Sequence, residues 1–127
     1  MTVGLATTAF ANALLNTVNG TSFSISATWV QLHVGDPGAA GTANVSAVST
    51  RQQATFAAAS LGSLALASTP TAWNMTTTET ISAISVWSLA TVGTFYWSAS
   101  LAVNKTVANG DTLTLNTCGL SFAPLAA

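Results

Sequence analysis

The stretch Lys105-Thr106-Val107-Ala108-Asn109-Gly110-Asp111-Thr112-Leu113-Thr114-Leu115 decides the fold class of this 127-residue chain. Two β-prone runs flank Asn109-Gly110, and both of those residues tolerate positive φ. The stretch therefore reads as a β-hairpin turning at Asn109-Gly110. Just upstream, Thr94 to Leu101 alternates, with Phe95, Trp97, Ala99 and Leu101 on one face and Thr94, Tyr96, Ser98 and Ser100 on the other. Thr91-Val92-Gly93 is the turn that precedes it. Thr80 to Ser88 is apolar on both parities through Ile81, Ile84, Val86 and Trp87, as in a strand buried on both faces. Downstream, Gly119 marks a bulge before a last strand through Leu120 and Phe122.

Toward the N-terminus the same period of two recurs. Val30, Leu32 and Val34 alternate with Trp29, Gln31 and His33, which predicts a half-buried strand. It stops at Asp36-Pro37-Gly38: Pro37 presets φ, Gly38 supplies positive φ, and the Asp36 carboxylate accepts backbone N–H bonds. Residues 38–50 read as a long surface loop. Short strands follow at Gln53 to Ala57 and at Thr71 to Met75, with the stretch 58–69 open between them. Only residues 3–18 carry the helical period, with Ala6, Phe10, Leu14 and Val18 on one stripe and Asn19-Gly20 as the stop. The expected architecture is mainly β: a compact β-sandwich or barrel of short antiparallel strands with one N-terminal helix. It forms one domain over residues 1–127, with strands from about 27 to 123.

Composition narrows the function. Charged residues make up 4% of the chain, against about 25% in ordinary soluble proteins. They are Asp36, Arg51, Glu79, Lys105 and Asp111, for a formal net charge of −1. A surface of Ser, Thr, Asn and Gln hydrogen-bonds but does not repel its copies, which suits a protein held among fixed neighbours. Two cations are too few to drive nucleic-acid binding through phosphate contacts. No apolar run spans a membrane, and Met1 to Val18 lacks the basic start of a secretion signal. Cys118 is the single cysteine, so it forms no disulfide within the chain and reads as a small apolar filler.

The chemistry-bearing residues point away from catalysis. His33 and Asp36 stand three apart across a strand end and a turn, a spacing that serves local hydrogen bonding better than a catalytic triad. Asp36, Glu79 and Asp111 are read as turn formers rather than a glycosidase carboxylate pair. One His and one Cys make no zinc set. No catalytic, cofactor-binding or metal-binding residue is assigned, and no cofactor is expected. The turn and interface candidates are His33, Asp36, Pro37, Gly38, Arg51, Trp29 and Trp73. Arg51 is expected to pair with Asp36 or with a neighbouring subunit, because an unpaired buried charge is costly. Trp29, Trp73, Trp87 and Trp97 are read as core or subunit interface, with a sugar-binding platform as the alternative.

One set of segments is familiar in its order. A helix ending in Asn19-Gly20-Thr21 is followed by Leu32-His33-Val34-Gly35-Asp36-Pro37-Gly38 and then by Ser49-Thr50-Arg51-Gln52-Gln53-Ala54-Thr55-Phe56. Ile84-Ser85-Val86-Trp87, Phe95-Tyr96-Trp97 and the Lys105 to Thr112 segment complete it. Together they resemble a family of small structural proteins of tailed phages, common in phages of actinobacteria, variously labelled tail fibre, minor tail, head fibre or capsid decoration. The chain departs from that pattern at Val34-Gly35 (often Thr-Ala), at Ser49-Thr50 (often Gly-Tyr) and at Ile84 to Trp87 (often Gly-Leu-Tyr-Asp). The resemblance implies a virion structural protein. Composition and resemblance together favour a decoration or minor capsid protein on the capsid surface. It would form a homotrimer and bind the major capsid protein, with no nucleic-acid or membrane partner. The alternative is a tail or fibre component that contacts tail proteins and carries a receptor-binding, glycan-directed face.

Overall fold

The computed structural model describes residues 3–123 and residue 126. The chain is mainly β, antiparallel and sandwich-like, with one helical segment near its N-terminus. Among the described residues eight strands follow that segment: β1 Thr28–His33, β2 Gln52–Ala54, β3 Ser63–Ala65, β4 Trp73–Asn74, β5 Glu79–Trp87, β6 Phe95–Val107, β7 Thr112–Leu113 and β8 Gly119–Ser121. The main sheet runs β2-β1-β5-β6, and β3-β8 and β4-β7 form two small ribbons.

Register sorts the side chains of the main sheet onto two faces. Val30 stands opposite Val86 and Leu32 opposite Ile84, while Val86 stands opposite Trp97 and Ile84 opposite Ala99. Directly opposed residues share a face, so these six line the apolar core with Phe10, Trp73, Met75 and Ile81. On the other face Gln31 opposes Ser85, His33 opposes Ala83 and Trp29 opposes Trp87.

That second face is covered too, which corrects the half-buried reading of β1. The 38–50 segment folds back over it. Val34 N–H donates to Asn44 O at 2.8 Å and Ser46 N–H to Leu32 O at 3.0 Å, and His33 forms an isolated bridge with Val45. Gly41 explains how closely it packs: φ there is +71°, and a Cβ would sit 2.5 Å from the Phe95 ring. Residues 38–50 are therefore a docked flap rather than a loop standing in solvent. By contrast, the expected burial of β5 on both faces holds, with Ile81, Ala83, Ile84, Ser85, Val86 and Trp87 all buried.

Four other expectations change. The helical stripe of residues 3–18 begins later and loses its phase. Thr7–Ala11 is π-helical, Asn12–Asn16 (α1) is α-helical and Thr17–Asn19 is 3₁₀. Changing from a wide to a tight helix rotates the stripe off the 3.6 period, so Phe10 is buried while Val18 is 89% exposed. The residues before Thr7 are extended instead: Ala6 N–H donates to Tyr96 O at 2.7 Å, and Ser98 N–H to Gly4 O at 2.8 Å. They cover the outer edge of β6, which would otherwise present unpaired backbone groups.

The alternation along β6 is broken by a register shift between Val86 and Trp87, where Trp87 pairs Phe95 and Val86 pairs Trp97. The extra residue, Tyr96, turns its ring toward Phe10 at 5.6 Å. Phe95 moves to the face opposite Trp97 and packs 5.4 Å from Trp87. Leu113 and Leu115 pack against the core.

Finally, Asn109-Gly110 is a turn but not a hairpin. Asp111 N–H closes it onto Ala108 O at 3.0 Å, and only Gly110, at φ +93°, has positive φ. One positive φ at the third turn position is the type II pattern, which splays strands instead of pairing them. So β7 leaves β6 and pairs with β4, Trp73 opposite Leu113. Gly119 marks close backbone approach rather than a bulge: it pairs with Ala65, and a Cβ on it would meet Leu64 O at 2.0 Å.

Candidate functional site

The flap-covered face of the main sheet gathers most of the residues singled out in the sequence. At its centre lies a directed chain of hydrogen bonds. The His33 Nδ1 lies 2.7 Å from Ala43 O, and a carbonyl only accepts, so Nδ1 carries the proton. Nε2 then accepts from the Ser85 hydroxyl at 2.7 Å. Ser85 Oγ in turn accepts from Trp87 Nε1–H at 2.7 Å. Every proton in Trp87→Ser85→His33→Ala43 has one destination, provided that His33 is neutral.

The surroundings keep it so. His33 is 0% exposed. Burial first, and the positive charge of Arg51 behind it, hold its pKa below the ordinary 6.5, against the opposing pull of the Ala43 carbonyl. Ser85 is equally buried at 0%. The hydrogen bonds of this serine and histidine join β1, β5 and the flap.

Arg51 sits at the edge of this network. Its guanidinium lies 3.9 Å from the centroid of the Trp87 ring. One nitrogen donates to Val92 O at 2.6 Å and to Leu89 O at 3.0 Å, and Nε donates to Gln31 Oε1 at 3.3 Å. The cation thus stacks on an aromatic face and ties β1 to the β5–β6 turn, uses suited to a planar guanidinium. The turn it grips exposes two apolar side chains, Leu89 and Val92.

The remaining candidates are placed as follows. The Asp36 carboxylate accepts from Gly38 N–H at 2.9 Å, the Asx-type closure expected of it, and Gly38 has φ +73°. Pro37 is buried, and its carbonyl accepts from Ala43 N–H at 2.9 Å. These three shape the start of the flap that reaches His33. Trp29 is half-buried opposite Trp87. Trp73 is 1% exposed and lies on the core side, donating to Thr50 O at 2.8 Å, next to Arg51 in the chain. With Trp73, Trp87 and Trp97 all buried, the four tryptophans form no exposed platform.

The acidic residues are each engaged locally. The Glu79 carboxylate accepts from the Ser46 hydroxyl and from Ala47 N–H at 3.2 Å, pinning the far end of the flap. Asp111 accepts from Ala108 N–H at 2.8 Å and closes its turn. Among the described residues no three His, Cys, Asp or Glu side chains cluster as metal ligands do.

Gln31, Ser85 and the Ser46–Glu79 clamp escaped the sequence reading. Gln31 and Ser85 are polar residues inside strands, and only the β1–β5 register places them beside Arg51 and His33. The signal available was parity: Gln31 and His33 share one face of β1, and Ser85 and Trp87 share one face of β5.

A family model described as Podophage GP4 fiber I protein gp80 matches residues 5–123 of the chain. That span takes in the helical segment, the flap and all eight strands. No curated protein matches the chain.

Proposed function

The chain belongs to the Podophage GP4 fiber I protein gp80 family, a virion structural role follows, and on that premise we propose that it is a fibre component of a phage particle, present in repeated copies. The match over residues 5–123 carries this reading. It favours the fibre placement over the decoration of the capsid shell that composition and resemblance had put first.

The physical properties of the chain support a multi-copy role. Leu15 (69% exposed), Val18 (89%), Leu61 (89%) and Phe122 (69%) stand out on a surface almost without charge. Symmetric neighbours would cover such residues, and we propose a homotrimer as the repeating unit. Its contacts would be apolar and neutral and so insensitive to salt. In this reading the protein is not an enzyme. It takes no cofactor, binds neither nucleic acid nor membrane, and its partners are its own copies and other tail or fibre proteins.

Copy number tests the placement. Quantitative mass spectrometry of purified particles should give a ratio to the major capsid protein that fits a small set of fibres. A ratio near that of a shell-covering protein, one copy for every one to three capsid subunits, would return the protein to the head.

A further inference from the structure

Residues 38–50 are tied to the main sheet by a short set of bonds, and one of them ends on a titratable ring. Val34 N–H donates to Asn44 O and Ser46 N–H to Leu32 O. Glu79 holds the far end through Ser46 and Ala47, and the middle rests on the His33 Nδ1–Ala43 O bond. By comparison, β1 and β5 pair continuously from Trp29 to His33. The flap is therefore the more weakly held wall around His33, and segments held by few backbone bonds open before the sheet they cover.

With the flap closed, a second proton on His33 is badly accommodated. Nε2 would become a donor, so Ser85 Oγ would face donors from both His33 and Trp87. The Ser85 hydroxyl proton would lose its acceptor at a position that is 0% exposed. The charged groups on the elements around the ring are Arg51, Glu79 and Asp36, and residues 38–50 carry none. Arg51 repels an imidazolium, and no carboxylate opposes it at the ring. Glu79 is engaged with Ser46 and Ala47, and Asp36 with Gly38 N–H. Burial is what chiefly disfavours the cation, and the flap supplies that burial from one side.

We propose that residues 38–50 form an acid-released latch: protonation of His33 opens the flap while the β2-β1-β5-β6 sheet stays folded. Linkage fixes the direction. A ring that takes its proton more readily when uncovered draws the flap open as the pH falls. The open form uncovers the face of Gln31, His33, Ser85 and Trp87, which the chain hides at neutral pH. The latch belongs to the isolated chain and does not depend on where the protein sits in the particle.

The test is amide hydrogen exchange of the intact chain, resolved by NMR and normalised at each pH to the rate of an unstructured chain. Val34 and Ser46 report the flap, and Ala83 to Val86 report the sheet. The flap amides should open at least about tenfold more often than the sheet amides. Between about pH 7 and 5 their opening should rise at least about fivefold and at most about 25-fold, the ceiling set by an uncovered histidine. His33→Gln should abolish the rise. Glu79→Gln, which keeps an acceptor for Ala47 N–H, should retain it. Slow exchange of the sheet amides reports that each variant is folded. Flap and sheet amides that differ by less than tenfold would mean that the chain opens only as a whole, and would overturn the latch. So would a rise below fivefold, a rise that survives His33→Gln, or one lost in Glu79→Gln.

Discussion

Ser85→Ala removes one oxygen from the centre of the flap-covered face and should be far more damaging than its size suggests. The substitution orphans Trp87 Nε1–H, whose acceptor is Ser85 Oγ, and His33 Nε2, whose donor is the same hydroxyl. Both rings are buried, at 6% and 0% exposure, so water does not replace the lost partner. Each unsatisfied group costs about 1–3 kcal/mol, which gives about 2–6 kcal/mol for the pair. That is a large share of the roughly 5–15 kcal/mol that stabilises a domain of this kind. The assay is urea unfolding followed by tryptophan fluorescence. With a slope of about 1–3 kcal/mol per molar, a loss of about 3 kcal/mol lowers the midpoint by about 1–3 M at unchanged slope. Ser85→Cys, nearly isosteric but a weak hydrogen-bonder, should fall in between. A loss below about 0.5 kcal/mol, the range of ordinary surface substitutions, would refute the directed network.

The same network predicts a pH dependence with a definite sign. The His33 pKa is lowered in the folded chain from 6.5, so the unfolded chain binds its proton more tightly. Stability is then whole above about pH 6.5 and falls as the pH drops below it, by at most about 1.4 kcal/mol per unit. His33 is the only histidine, and His33→Gln should flatten the slope between about pH 5 and 6.5. Gly119→Ala drives a Cβ into Leu64 O at the β3–β8 ribbon and should cost about 1–3 kcal/mol, read as a lower urea midpoint. Arg51→Ala loses a stacked cation and its bonds to the β5–β6 turn. It should cost about 1–2 kcal/mol and raise hydrogen exchange at residues 89–94, with Arg51→Lys recovering only part. The Cys118 thiol is pushed by burial from 9.0 to about 11, a roughly hundredfold smaller thiolate fraction. Modification by a maleimide at neutral pH should be correspondingly slow until the chain is unfolded.

What the sequence disclosed followed from local rules. Period-two patterning located β1, β5 and β6, and Asp36-Pro37-Gly38 announced the turn that opens the flap. Pairing partners were not local. Asn109-Gly110 marked a reversal, yet whether β7 joined β6 or β4 depended on turn type and on where Trp73 and Met75 lay. The helical stripe failed because a π turn and a 3₁₀ turn bracket α1, and no residue type signals that change of pitch. His33 was singled out for its rarity, but its partners lie 10 and 52 residues away in Ala43 and Ser85. Arg51 was read as pairing with Asp36 or with a neighbouring subunit. A tryptophan face and two turn carbonyls hold it, an arrangement that charge counting does not anticipate.

Immunoelectron microscopy of intact particles shows whether this protein sits in a fibre. Antibodies against the exposed Leu61 turn, detected with gold, report where the copies sit. For a fibre component the gold should be confined to fibres, at positions repeated by the symmetry of their attachment. Gold distributed over the facets of the head, with the fibres bare, would contradict that placement.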